Sequence, residues 1–126
     1  MDRTATIIRA YERWDAGDIN GFLDLFDDEA IFVVPGATTV SGDHDKASFR
    51  GVLARVAEAT RAGRHRQELV CTYLSDSGAT LVFDNYFGPG EHDNYHSIHE
   101  WIFRGDRPHV WMLYVHEYDR FERLWG

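Results

Sequence analysis

The chain has 126 residues, of which 44% are hydrophobic and 27% are charged. This length suits one domain with its own core and is too short for two, so we predict a single domain over residues 1–126. Lys and Arg number 13 against 21 Asp and Glu, which gives a formal net charge of −8. An acidic chain repels the phosphate backbone, so we expect no nucleic acid partner.

Cysteine usage and the start of the chain indicate a compartment. The single Cys71 cannot form an internal disulfide. No apolar run near Met1 is long enough for a signal peptide, and none elsewhere is long enough for a membrane span. We therefore expect a cytoplasmic protein with no membrane partner. Aromatic residues make up 14% of the chain and seven His accompany them, a combination that suits a binding pocket.

The first half of the chain is patterned as helices. From about Arg3 to Ala16, apolar residues recur every three or four positions, which predicts a helix with one buried face. Gly17 ends this helix, and Asp18 is a plausible N-cap for a short second one. A third helix is predicted between Asp45 and Ala62 by the same spacing.

The rest of the chain is patterned as strands. Ala30–Val34 is a short apolar run, and Thr38–Ser41 is expected to pair back on it. Every segment after Gly63 is interpreted as strand, and turn signals such as Gly88-Pro89-Gly90 predict antiparallel hairpins. The four long strands are predicted at Gln67–Leu74, Ala79–Phe87, Tyr95–Phe103 and Val110–Tyr118. Parallel neighbours would need long crossovers, so we predict an α+β fold with an antiparallel sheet that packs against helices.

Two stretches resemble a known superfamily. The run from Tyr11 to Ala30 resembles the opening of SnoaL-like proteins in the nuclear transport factor two-like superfamily. Ile98–Phe103 and Val115–Asp119 resemble its two closing strands, so the resemblance covers nearly all of the chain. It implies a cone-shaped, strongly curved antiparallel sheet wrapped around three N-terminal helices, a cystatin-like α+β barrel. It also implies a pocket between helices and sheet, commonly in a homodimer.

His99 is the first candidate catalytic residue. Strand alternation places it on one face with Tyr95, Ser97 and Trp101, and the resemblance points that face into the cone. There His99 occupies the place where the ketosteroid isomerases of this superfamily keep an oxyanion-stabilising carboxylic acid. The resemblance therefore implies a hydrogen-bond donor or proton-transfer group at this position.

Glu117 and Asp84 are the next candidates. Glu117 shares a face of the last predicted strand with Trp111, and it resembles the proton-transfer aspartate of limonene epoxide hydrolases. Asp84 interrupts an apolar strand, and its facing is left open. Inside the cone it would repel Glu117 and both carboxyl pKa values would rise, which suits acid–base catalysis. Outside, it would be solvated or contact a second subunit.

Asp15 and a set of aromatic residues complete the candidate site. Scytalone dehydratases of the same superfamily have an acidic residue just before the helix break, which corresponds to Asp15, and a histidine that corresponds approximately to His65. The position of Asp15 at the turn before Asp18 favours a structural role over a catalytic one, as a helix-terminal residue that satisfies backbone groups. The apolar walls of the pocket, which could instead be core packing, are expected to be Trp14, Phe32, Tyr95 and Trp101.

The sequence also departs from the enzymes that it resembles. Val34, just before Pro35, stands where the isomerases keep their base aspartate, so isomerase activity by that route is excluded. The isomerase tyrosine of the first helix falls near Ala10, with Tyr11 only adjacent. The strand arginine of the epoxide hydrolases is replaced by an apolar residue near Val82.

A metal site is not predicted. His92 and His96 lie four residues apart in a predicted strand, which separates their Cα atoms by about 13 Å at roughly 3.3 Å per residue. One ion cannot bind both. His96 and His99 point to opposite faces, which leaves only a cross-strand set such as His99 with Glu117. We therefore expect neither a metal nor a cofactor.

The sequence favours two functions from different classes. The first is a cofactor-independent enzyme that performs acid–base chemistry on a small apolar oxygenated metabolite: isomerisation, dehydration, cyclisation or epoxide opening. The second is a non-catalytic ligand-binding or dimeric interaction domain with the same fold. A homodimer is expected in both cases, because Met112 and Tyr114 make the outer face of the last strand apolar.

Overall fold

The structure is a computed structural model that describes residues 2–87 and 94–126. The turn expected at Gly88-Pro89-Gly90, and His92, lie outside these residues. The helices of the described part are α1 (Arg3–Asp15), α2 (Ile19–Asp24), α3 (Lys46–Arg61) and α4 (Tyr118–Trp125). Its strands are β1 (Ile31–Val34), β2 (Gly42–His44), β3 (Arg66–Leu74), β4 (Gly78–Tyr86), β5 (Asn94–Arg104) and β6 (Arg107–Val115). None of these helices is long and apolar enough to cross a bilayer.

Aspartate side chains start the three N-terminal helices. The carboxylates of Asp2, Asp18 and Asp45 each accept a hydrogen bond from the backbone N–H three residues later, at 2.8–2.9 Å. Such a cap satisfies a backbone donor that has no partner inside the helix and stabilises it by about 1 kcal/mol. The predicted cap at Asp18 and the predicted start of α3 at Asp45 are confirmed.

The six strands form one curved sheet in the order β2-β1-β6-β5-β4-β3. The long strands β3 to β6 pair as antiparallel neighbours, as predicted. One pair departs from the prediction, because β1 lies parallel to β6 and places Phe32 opposite Trp111. The crossover that a parallel pair requires is present after all: it is the whole chain between the two strands, which includes α3.

Two local predictions are wrong. The strand that pairs with β1 is β2, not Thr38–Ser41, because those residues close a turn in which the Ser41 backbone N–H donates to the Thr38 carbonyl. The last strand ends at Val115 and α4 follows it. Helix α4 buries Phe121 and Trp125, which lie four residues apart on one helical face. A spacing of four also places two side chains on the same face of a strand, so this short segment does not distinguish the two structures.

The helices cover one face of the sheet and leave the other face without a covering element in the described residues. Alternate residues of β5 are buried on the helix side, as the predicted alternation required; they are Tyr95, Ser97, His99, Trp101 and Phe103. The core beneath the helices is aromatic, with ring centroids of Phe32 and Phe49 only 4.3 Å apart. The α+β fold class is therefore confirmed.

Candidate functional site

A small cavity of about 80 Å³ lies between the helices and the buried face of the sheet. We call it the inner cavity. Most of its wall is apolar and comes from α1, α3, α4 and the sheet. Its polar or aromatic wall residues include Tyr11, Trp14, His65, Gln67, Asn85, Tyr95, Ser97, His99, Trp111, Phe121 and Trp125.

His99 is held in this wall by a hydrogen-bonded chain. The hydroxyl of Tyr11 lies 2.8 Å from Nδ1 of His99, and Nε1 of Trp101 donates to the same hydroxyl at 3.2 Å. Because the Tyr11 oxygen already accepts from Trp101, its own proton is directed to His99 Nδ1. Nδ1 then acts as the acceptor, and this assigns the proton of the neutral imidazole to Nε2.

Burial fixes the charge state of both groups. It lowers the pKa of His99 to about 3, and His65 nearby contributes in the same direction when charged. Burial also raises the pKa of Tyr11, although the indole N–H groups of Trp101 and Trp111 near its hydroxyl oppose this. At neutral pH the pair is therefore an uncharged imidazole beside an intact phenol.

Trp111 supplies a second ring N–H to the inner cavity. Its ring centroid lies 4.8 Å from that of His99, and its buried Nε1 approaches the Tyr11 hydroxyl but makes no well-formed hydrogen bond to a described residue. The N–H at Nε2 of His99 likewise donates to no residue among 2–87 and 94–126. A buried donor left unpaired costs about 1–3 kcal/mol. An acceptor atom brought by a ligand would remove that cost.

A second polar group lines the cavity around Asn85. Its Oδ1 accepts from Nε2 of His65 at 3.0 Å and from Gln67 at 3.1 Å, while its Nδ2 donates to Ser97 at 2.7 Å. Burial lowers the pKa of His65, and the hydrogen bond to Asn85 only partly offsets this. Because Nε2 holds the proton, the lone pair of neutral His65 is on Nδ1, 3.3 Å from the Thr60 hydroxyl.

A larger groove of about 690 Å³ runs outside, between α1 and the edge strand β3. We call it the α1–β3 groove. Its wall includes Ile8, Glu12, Asp15, Arg66, Leu69, Thr72 and Leu74. Four residues line both spaces, namely Tyr11, Trp14, His65 and Gln67. These four side chains therefore border both the groove and the inner cavity.

The predicted wall residues divide into two groups. Trp14 and Tyr95 line the inner cavity. Phe32 and Trp101 do not line it; both pack within the aromatic core, where their rings lie 4.7 Å and 4.9 Å from that of Phe26. Trp101 still acts on the site through its hydrogen bond to Tyr11.

The expected convergence of Glu117 with His99 is wrong. Strand β6 ends at Val115, so strand alternation no longer sets the direction of Glu117, which directly precedes α4. Its carboxylate accepts from the backbone N–H of His96 at 2.9 Å and contacts Nδ1 of the same residue at 2.6 Å. Asp84 faces the same outer side, with Oδ1 at 2.9 Å from His96 Nε2. Neither carboxylate lines the inner cavity.

Asp15, the last residue of α1, is exposed and lines the α1–β3 groove rather than the inner cavity. Ala10, the position nearest to the tyrosine of the isomerases, is fully buried. The adjacent Tyr11 instead reaches His99 with its hydroxyl. Trp111 was placed on the correct strand face but not assigned to the site. Within the described ranges, no three His, Cys, Asp or Glu side chains are grouped to hold a metal ion.

Comparison with solved structures shows the same fold in several proteins. Bal32a, from a soil-derived mobile gene cassette, is similar over 98% of this chain and 96% of its own, with 20% identity and a TM-score of 0.82. TerC, co-crystallised with polyporic acid, is similar over 97% of both chains, with 17% identity and a TM-score of 0.76. An NTF2-like (nuclear transport factor two-like) protein from Burkholderia pseudomallei matches over 100% of this chain and 98% of its own, with 16% identity and a TM-score of 0.76.

No family model matches the sequence, and no curated protein does. At the identities of the solved structures, the likeness shows the architecture and not the activity. The resemblance noted in the sequence is confirmed at that level. The chain therefore has the NTF2-like fold, which another matched structure describes as cystatin-like.

Proposed function

We propose that this protein is a cofactor-independent enzyme that performs acid–base chemistry on a small, largely apolar, oxygenated metabolite. The single observation that carries the proposal is a pair of neighbouring ring nitrogens in a largely apolar cavity wall: Nε1–H of Trp111, which makes no well-formed hydrogen bond to a described residue, and Nε2 of neutral His99, whose ring bonds only through Nδ1. Two donors on rings 4.8 Å apart suit one ligand oxygen, such as a carbonyl. Isomerisation, dehydration, cyclisation and epoxide opening all develop negative charge on such an oxygen.

The donors stabilise that charge without becoming charged themselves. Neutral His99 donates from Nε2, and Tyr11 holds it in this tautomer. The surroundings are buried and apolar, so a hydrogen bond to a developing oxyanion is worth more there than in water. Because burial lowers the pKa of His99 to about 3, the ring is neutral at pH 7 and almost no imidazolium is present to give up a proton. Of the two roles that the resemblance implied, a hydrogen-bond donor or a proton-transfer group, this proposal gives His99 the first: it polarises the oxygen and does not donate a full proton.

Proton removal falls to His65 in this proposal. No carboxylate is among the described residues that line the inner cavity, which removes Glu117, Asp84 and Asp15 as bases for a ligand bound there. His65 retains a lone pair on Nδ1, since its Nε2 donates to Asn85. It would take a proton from the carbon next to the carbonyl while the electron pair moves to the oxygen held by His99 and Trp111.

Exchange of hydrogen for deuterium at the carbon next to a carbonyl tests this step. The probe is 2-heptanone in D₂O, followed by NMR. We expect Trp111→Phe, which removes the N–H and keeps a ring, to slow exchange about 10- to 1000-fold, as for other oxyanion donors. His65→Gln should abolish the enzyme-dependent exchange. Tyr73→Ser, on an exposed side chain outside both spaces, is the matched control and should exchange like the wild type.

A binding domain without catalysis is the second candidate, and the absence of a carboxylate in the described cavity wall favours it. TerC shows that a protein of this fold is found with polyporic acid. The two candidates separate in the same experiment. Saturable binding of 2-heptanone that is weakened by Trp111→Phe, with no exchange above buffer, would identify the binding domain. If 2-heptanone neither binds nor exchanges, both candidate functions are overturned.

We also propose that the protein forms a homodimer through the outer face of the sheet. This face carries partly exposed apolar side chains that no described element covers; they include Val82, Ile98, Ile102, Met112 and Tyr114. These side chains lie on three adjacent strands, β4, β5 and β6, and a continuous apolar surface of this kind is typical of an interface between subunits. Light scattering should give twice the chain mass of 14.6 kDa. Ile98→Glu should return the protein to one chain.

A further inference from the structure

We propose that the α1–β3 groove holds the apolar tail of an uncharged, elongated ligand whose oxygen-bearing head enters the inner cavity. This inference rests on the proposed function, because the head is the group that accepts hydrogen bonds from His99 and Trp111. It adds the shape and charge class of the ligand, which the inner cavity by itself does not define.

Volume requires that the ligand extend beyond the inner cavity. That space is about 80 Å³, whereas an apolar cavity of roughly 150 Å³ is filled by a benzene molecule. The inner cavity therefore admits only a few heavy atoms, enough for a carbonyl and its neighbours. Sites for whole small-molecule ligands measure about 300–1,000 Å³. The α1–β3 groove, at about 690 Å³, lies within that range.

The position of the groove lets one molecule occupy both spaces. Tyr11, Trp14, His65 and Gln67 line both, so they form a neck between them. Tyr11 and Trp14 are half-buried rather than fully packed. Tyr11 is also the residue that bonds His99. A head held at His99 is therefore one side chain away from the groove.

The groove wall offers apolar surface to a tail. Ile8 is 55% exposed, Leu69 is 55% exposed and Leu74 is 60% exposed, and all three line the groove. Apolar side chains grouped along one concavity are typical of a ligand site, in contrast to single exposed ones. Edge strand β3 contributes two of them, and α1 faces it with the third.

Charge at the groove selects against an anionic tail. Glu12 and Asp15 line it, and neither has a basic partner among the described residues. Arg66 also lines it, but Arg66 is paired with Glu68 and lies over the ring of Tyr86, 4.4 Å from its centroid. The uncompensated charge is therefore negative, as is the chain as a whole at −8. A carboxylate at the tail end would be repelled.

A homologous series of 2-alkanones, from 2-pentanone to 2-undecanone, tests the inference by tryptophan fluorescence titration. We expect Kd to fall about two- to fourfold per added methylene until the groove is filled. A ketone of the same length with a terminal carboxylate should bind at least about tenfold more weakly than its uncharged counterpart. Leu74→Ser should remove most of the gain in affinity that comes with chain length.

Tyr73→Ser is the matched control, since Tyr73 is the neighbour of Leu74 on β3, is 63% exposed and does not line the groove. A Kd that does not change with chain length, or equal effects of Leu74→Ser and Tyr73→Ser, would overturn the inference. Trp111→Phe distinguishes this failure from failure of the proposed function. If it weakens every ketone by the same factor while chain length has no effect, the head site stands and the groove proposal fails. If chain length changes the Kd and Trp111→Phe has no effect, the groove binds the tail and the proposed head site fails.

Discussion

The Tyr11 hydroxyl and Nδ1 of His99 are 2.8 Å apart, although 88 positions separate the two residues in the sequence. A helix and a central strand thus share one hydrogen bond inside the cavity. Trp101 donates to the same hydroxyl, so each hydrogen bond in the series points the same way: the Trp101 indole donates to the Tyr11 phenol, which donates to the His99 imidazole. The tautomer of His99, and with it the donor presented to a ligand, depends on Tyr11.

The first prediction concerns this dependence. In the wild type, ¹⁵N NMR of the imidazole should show the proton of His99 on Nε2. Tyr11→Phe removes the donor to Nδ1, so we expect a mixture of tautomers or a switch to Nδ1–H. Because the substitution also leaves the Trp101 N–H without its acceptor, it should lower the free energy of unfolding by about 1–3 kcal/mol. Tyr114→Phe, at an exposed tyrosine, should change neither quantity.

Acid sensitivity is the second prediction. The pKa of His99 is lowered to about 3 in the folded chain, while it is about 6.5 in an unfolded one. Below pH 6.5 the unfolded state binds a proton that the folded state does not, so stability falls as the pH falls. Between pH 7 and pH 5 the loss from His99 should be about 2 kcal/mol. Burial of His65 adds a loss of the same sign.

Urea unfolding at pH 5, 6 and 7 measures this loss. His99→Gln removes the titrating group, so its stability should fall less steeply over that interval than that of the wild type. His116→Asn is the matched control on an exposed histidine and should keep the wild-type slope. Parallel curves for His99→Gln and the wild type would show that His99 does not contribute to acid sensitivity.

The third prediction separates Glu117 from the chemistry. His96 lies on the outer face between Glu117 and Asp84, and its hydrogen bond to Glu117 raises its pKa. Burial opposes ionisation of Glu117, but hydrogen bonds from His96 outweigh it and lower the carboxyl pKa. The histidine contribution is complete below about pH 6.5 and is lost as the pH rises through its raised pKa. The carboxylate contribution is present above about pH 4.3 and is lost as the pH falls.

The contact is therefore strongest near pH 5–6. The His96 side chain is 50% exposed, so Glu117→Gln should lower stability by no more than about 1 kcal/mol in that range and by less at pH 9. Ketone binding and exchange should remain at wild-type levels, because Glu117 does not line the inner cavity. A loss of exchange at unchanged affinity would return Glu117 to the catalytic group.

Much of the fold could be predicted from the spacing of apolar residues and from the glycine, proline and aspartate residues that end or start elements. The spacing of apolar residues placed α1 and α3, and alternation along β5 assigned His99 to the buried side. The parallel pairing of β1 with β6 was not predicted, because the two strands are far apart in the sequence. The spacing of apolar residues within each strand does not indicate which distant strand it pairs with. Helix α4 was missed because eight residues hold too few repeats to separate a helix from a strand.

The site was harder to predict for a related reason. Alternation fixes which face a residue takes only while the strand continues, and Glu117 lies two residues past the end of β6. Asn85, by contrast, lies inside β4 on the buried face, and its three side-chain partners come from two neighbouring strands and the residue before β3. Its role depends on strand register, which the sequence did not define.

The last prediction concerns the opposite end of the sheet, where Asp27 is buried at 8% exposure. Its carboxylate accepts from Nδ1 of His109 at 2.9 Å and from the backbone N–H of Glu29 at 3.0 Å, and Arg104 lies 3.4 Å away. Burial would raise the pKa of Asp27, but these contacts, led by His109, lower it overall. The stabilisation is therefore present above the unfolded pKa of about 3.9 and is lost as the pH falls through the lowered folded value.

Asp27→Asn should lower the free energy of unfolding at pH 7 by about 1–3 kcal/mol, because it removes hydrogen bonds to a charged acceptor. The difference from the wild type should shrink below about pH 4, where the unfolded chain begins to bind a proton that the folded Asp27 carboxylate does not yet take up. Asp28→Asn is the matched control, since the neighbouring side chain is 95% exposed and its contact with Lys46 is 3.8 Å long. It should change stability by less than about 0.5 kcal/mol. Equal effects of the two substitutions at pH 7, measured by urea unfolding, would mean that the contacts of Asp27 with His109 and Arg104 add nothing to the stability of this end of the sheet.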